Sequence, residues 1–89
     1  MAHHDDPQKM EKLRLWIAEV ENELGLKGTL APVQKDLLKL ISTVAHGPSR
    51  PGAPLTAYLL GYLAGSQPSK DPLDIIESIQ KLAEKYESQ

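Results

Sequence analysis

Apolar residues recur at three- and four-residue intervals in four stretches of this chain, and proline or glycine punctuates the boundaries between them. That rhythm is the period of an α-helix with one face turned to a core. No stretch alternates apolar and polar residues with the β-branched enrichment of a strand. The pattern predicts an all-α fold, a compact four-helix domain with mostly antiparallel helices. The helices are expected over about 7–24, 31–46, 54–65 and 72–87.

The punctuation is specific in each case. In the first segment Asp6 suits the N-cap and Pro7 the first helical position. Met10, Leu13, Trp16, Ile17, Val20 and Leu24 form its stripe, and Gly25 is the natural residue after the helix, with Leu26 folding back on it. In the second, Thr29 or Ala31 is the expected cap and Pro32 falls in the first turn. Val33, Leu37, Leu40, Ile41 and Val44 make the inner face, Leu38 widens it, and Gly47-Pro48 stops the helix. The fourth starts at Asp71-Pro72, with Asp74 in its first turn. Its stripe is Ile75, Ile76, Ile79, Leu82, Ala83 and Tyr86, with Glu77 and Lys81 as an outward i,i+4 pair.

The third segment is different. Leu55, Tyr58, Leu59, Leu60, Tyr62 and Leu63 leave almost no polar face. A helix apolar all round is ordinarily buried, so this one is expected to be central and most buried. Ala57, Gly61 and Gly65 lie four residues apart, as if another helix crossed closely there.

With 89 residues the chain fits one domain, residues 7–89, behind a flexible tail over 1–6. Phe is absent and Trp16 is the single tryptophan, so the core has to be aliphatic. Trp16 and the tyrosines at 58, 62 and 86 lie on apolar stripes and are read as core or half-buried residues. A net charge of −2 gives no general attraction to nucleic acid or to an anionic membrane. The absence of cysteine excludes disulfides, thiolate metal sites and cysteine nucleophiles, and fits the cytoplasm. The first residues are not those of a signal peptide. The most apolar window, Leu55 to Ala64, is half the ~20 residues that span a bilayer.

The connection between the second and third segments, Gly47-Pro48-Ser49-Arg50-Pro51-Gly52-Ala53, is the most distinctive loop. With its flanks it supplies a candidate anion or partner site: His46, Ser49, Arg50, Gly52, Ala53 and Thr56. A helix N-terminus offers free N–H groups, and arginine offers a fork for phosphate or carboxylate. The plainer reading is a helix link with a dipole-favoured histidine at its start. No Walker or GxGxxG pattern accompanies it.

Other constellations are weaker. His3 or His4, behind the terminal amine, can chelate Cu(II) or Ni(II) adventitiously, but a frayed polar tail is the preferred reading and no metal site is expected. Glu19, Glu21 and Glu23 gather near a helix C-terminus, where the dipole disfavours them. A basic partner or a solvated face accounts for that. No nucleophile elbow, metal-spaced histidine pair or buried carboxylate pair is visible, so no catalysis and no cofactor is expected.

Two runs resemble a known family. Leu15-Trp16-Ile17, Glu19-Val20 and Leu24-Gly25-Leu26 look like its opening helix. Val44-Ala45-His46-Gly47, Arg50 to Thr56, Leu59-Leu60-Gly61 and Ala64-Gly65 look like its centre. The family is a set of small, mostly actinobacterial helical domains with no established function. Some members carry a molybdopterin-guanine dinucleotide biosynthesis description or sit fused behind a molybdenum-cofactor guanylyltransferase domain. The resemblance covers about Leu13 to Lys85 and implies a link to that machinery only by association. The expected role is a non-catalytic binding or accessory domain that engages another protein or a second copy of itself. The alternative is an anion or nucleotide-phosphate module centred on the loop 47–54.

Overall fold

The computed structural model describes residues 7–87. Among them stand four helices and no strand: α1 (Pro7–Leu24), α2 (Gln34–His46), α3 (Gly52–Ser66) and α4 (Pro72–Glu87). The chain divides into two compact units, one ending at Pro32 and one beginning at Val33. Asp6, proposed above as a cap, lies outside the described residues, as do the tail and its histidines.

The first unit is α1 with the loop after it. Its end is built as expected. Gly25 takes φ +70°, a left-handed conformation that glycine adopts without penalty. The Leu26 N–H donates to the Glu21 carbonyl at 2.8 Å and the Gly25 N–H to that of Asn22 at 3.3 Å, the paired bonds of a Schellman ending. Leu26 stays half exposed. The Glu21 carboxylate then reaches over the loop, accepting from the Gly28 N–H (3.2 Å) and the Leu30 N–H (2.8 Å). So Glu21 is a loop anchor and not a solvated acid. Its grip on Leu30 also explains why α2 starts at Gln34, past Thr29 and Ala31: the chain up to Leu30 is held in another conformation. Val33 occupies the N-cap and gives no side-chain cap.

No residue of α1 is buried. Trp16, expected in a core, is 61% exposed. One helix and a loop offer nothing for a full apolar stripe to close against. On the outer side Arg14 grips Glu11 through two hydrogen bonds, at 3.0 and 2.6 Å.

The second unit contains the core. Leu40 and Val44 from α2, Ala53 and Leu60 from α3, and Ile75, Ile76 and Ala83 from α4 are buried together. Val33, Leu37, Ile41, Ala45, Leu63, Ala64 and Ile79 pack around them. Within this unit α2 packs against both other helices more extensively than these pack against each other. The expectation of a central, most buried third helix therefore does not hold. α3 buries only Ala53 and Leu60, fewer residues than α2 or α4. Two neighbours cover one side of a helix, and an all-round apolar helix must leave the rest outside. Tyr58, Tyr62 and Tyr86 are likewise exposed, and so are Leu38 and Leu82. Within this unit no described residue crosses the small-residue stripe: a Cβ built at Gly61 or Gly65 meets no atom within 4 Å.

α4 begins as predicted. Asp71 caps it, its Oδ1 accepting the Leu73 N–H at 3.0 Å. Lys81 and Glu77 pair at 3.5 Å on the exposed side. A polar tie joins α2 to α4. The Thr43 hydroxyl donates to the Lys39 carbonyl (3.0 Å) and accepts from Gln80 Nε2 (2.9 Å), which also donates to Glu84 (2.9 Å). Gln80 Oε1 is buried and accepts nothing among the described residues.

That contrast is measurable. Leu40→Ala opens a cavity at a site with no exposed surface and is expected to cost about 2–5 kcal/mol in denaturant melts. Gln80→Leu removes two hydrogen bonds, one of them exposed, together with an orphaned carbonyl, so the cost is expected to stay below about 2 kcal/mol. Hydrogen bonding from Arg14 holds the Glu11 carboxyl below the usual carboxylate range. A lowered carboxyl pKa supports α1 above the ordinary carboxylate range and is lost as the pH falls through the folded value. In an NMR titration, Arg14→Gln is expected to move the Glu11 midpoint upward.

Candidate functional site

The loop between α2 and α3 carries the candidate residues that the sequence singles out. α2 ends on Gly47, whose N–H and that of Ser49 both donate to the Val44 carbonyl, at 3.3 and 3.0 Å. Pro51 takes the N-cap of α3, and the helix opens at Gly52, two residues earlier than expected. The cause is Ser49. Its Oγ accepts the Gly52 N–H at 3.1 Å and satisfies a donor at the helix start.

The candidate residues therefore divide. His46 is the last residue of α2 and is exposed. Its Nδ1 lies 2.8 Å from the Ser42 carbonyl, with the Ser42 hydroxyl at 3.4 Å. A carbonyl only accepts, so Nδ1 carries the proton and the ring is tied to its own helix. Ser49 is consumed by the cap. Arg50 is exposed and forms no ion pair among the described residues. Gly52 is half-buried with Ser49 pressed against it, a built Cβ lying 3.0 Å from that of Ser49. Ala53 is 3% exposed and belongs to the core, which removes it from the surface site. Thr56 is half-buried one turn on.

The start of α3 is also poor in free donors. The Gly52 N–H goes to Ser49, the Ala53 N–H to the Arg50 carbonyl at 3.1 Å, and Pro54 has none. An anion arriving there meets one exposed guanidinium and a closed turn. No group of three or more acidic or histidine side chains among the described residues is placed to hold a metal ion.

The second candidate is the far side of α3. Leu55, Tyr58, Leu59 and Tyr62 are 66–72% exposed. Their spacing of three, four and seven residues puts them on one face. Gly61 and Gly65, three residues after Tyr58 and Tyr62, lie along its edge over open space. α3 carries no charged residue along its length. The sequence pattern marks each of these residues, but as parts of a buried helix, with the tyrosines core or half-buried. The signal that would have placed them outside is the count of neighbours available to α3, which periodicity does not contain.

No helix of the structure is long and apolar enough to cross a membrane. The chain matches a family model described as Domain of unknown function (DUF6457) over residues 8–89. No curated protein matches it, and no solved structure does.

The role given to Ser49 has a direct check. Ser49→Ala deletes the acceptor of the Gly52 N–H and is expected to cost about 0.5–1.5 kcal/mol in thermal melts. Gly52→Ala, which pushes on the same side chain, is expected to destabilise in the same sense.

Proposed function

We propose that this chain, which belongs to the DUF6457 family, a domain of unknown function, is a non-catalytic binding domain that engages another protein through the outward face of α3. One observation carries the reading: two leucines and two tyrosines, two-thirds exposed or more, share one face of a helix that has no charge. Contiguous apolar surface of this kind marks interaction sites. Tyrosine is enriched, and charge depleted, at the centres of protein interfaces. The resemblance noted in the sequence extends the proposal to partners in molybdenum-cofactor biosynthesis, and that extension rests on the resemblance alone.

The anion module is the second reading. The unpaired, exposed Arg50 favours it, and the occupied N–H groups of Gly52 and Ala53 speak against it.

Photo-crosslinking in cells tests the first reading. A photoreactive residue at position 62 is expected to give a discrete protein adduct. One at position 77, exposed on α4, is expected to give none. Absence of an adduct at 62, or equal labelling at both positions, overturns the docking face.

A further inference from the structure

We propose that the partner on the α3 face is a second copy of this chain, an inference that rests on the docking face just described. Three features of that face point to it. The first is charge. The segment Gly52–Ser66 contains no Asp, Glu, Lys or Arg, so two copies meet with no like-charge repulsion. A face without a single charge also has no electrostatic means of choosing a different partner. An anionic lipid surface or a nucleic acid would need basic residues here, and there are none.

The second feature is area. The exposed parts of Leu55, Tyr58, Leu59 and Tyr62 amount to on the order of 500 Å². Two copies together would bury about 1,000 Å², the lower limit of a specific interface. A weak, concentration-dependent dimer matches that area, whereas a permanent one would need more.

The third is shape. Tyr58 and Tyr62 form a ridge, and Gly61 and Gly65 form a notch beside it on the same helix. In a two-fold pair each surface meets its own copy, so a patch has to be complementary to itself. A ridge flanked by a notch meets that condition when the two helices run antiparallel: the ridge of one lies along the notch of the other. The absence of a Cβ at Gly61 and Gly65 lets the facing side chains approach the backbone. The glycines, which nothing in the second unit uses, then have a packing role.

Sedimentation equilibrium on the full chain tests this. The average mass is expected to rise with concentration from the monomer value of 9.8 kDa toward twice that value. Tyr62→Lys, at an exposed position, is expected to keep the parent's helical circular dichroism and to weaken the association at least tenfold. The chain has no native cysteine, so Tyr58→Cys provides a single thiol near the two-fold axis. Mild oxidation is expected to link it into a covalent dimer far faster than Glu77→Cys.

A parent that remains at 9.8 kDa up to about 1 mM overturns the second copy. If position 62 still crosslinks to a different protein in that case, the docking face survives and only its occupant was misassigned. A dimer that Tyr62→Lys leaves intact, and that Glu77→Cys links as readily as Tyr58→Cys, overturns the use of this face.

Discussion

Leu40 has no exposed surface, and the second unit is organised by that fact. It sits on the inner face of α2, one turn from Val44, and both α3 and α4 close on that face. The partners offered are small or aliphatic: Ala53 and Leu60 from one side, Ile75, Ile76 and Ala83 from the other. Alanines at Ala53 and Ala83 let two helices approach the same stripe. The core is narrow as a result, and everything wider than an isoleucine is left at its edge. The four aromatic residues of the chain are all outside it, with exposures above one half. A core without aromatics needs close backbone approach, since each aliphatic side chain removes less surface from water.

Much of this was legible in the residues. Leu24-Gly25 and Asp71-Pro72 mark the end of α1 and the start of α4 because proline and glycine act locally, through φ and a missing donor. The inner face of α2 was legible for the same kind of reason, since periodicity reports which side is apolar. The starts of α2 and α3 were not. Each depends on a side chain acting at a distance of several residues, Glu21 on Leu30 and Ser49 on Gly52. The outward face of α3 was misread because an apolar helix states only what it can bury. How many neighbours it has is a property of the whole unit.

The loop 47–51 shows the same limit for function. Its composition suggested a site, and its bonds show a well-made joint. Two carbonyl contacts to Val44 close α2, and one serine hydroxyl opens α3. Arg50 is left over from that joint, exposed and unpaired among the described residues. The chemistry of the turn is directed inward, while the uncommitted surface of the unit lies on the other side of α3.

The position of Trp16 has a practical consequence for anyone following this chain by its fluorescence. The indole is 61% exposed and belongs to the unit that ends at Pro32, whereas every side chain buried among the described residues belongs to the unit that begins at Val33. Tryptophan emission therefore reports first on the surroundings of α1, a helix with no buried residue. An emission curve and a circular dichroism curve recorded on the same sample answer different questions. Disagreement between them would not show an intermediate in the folding of the core. It would show only that the chain carries its one strong fluorophore in the unit where no residue is described as buried.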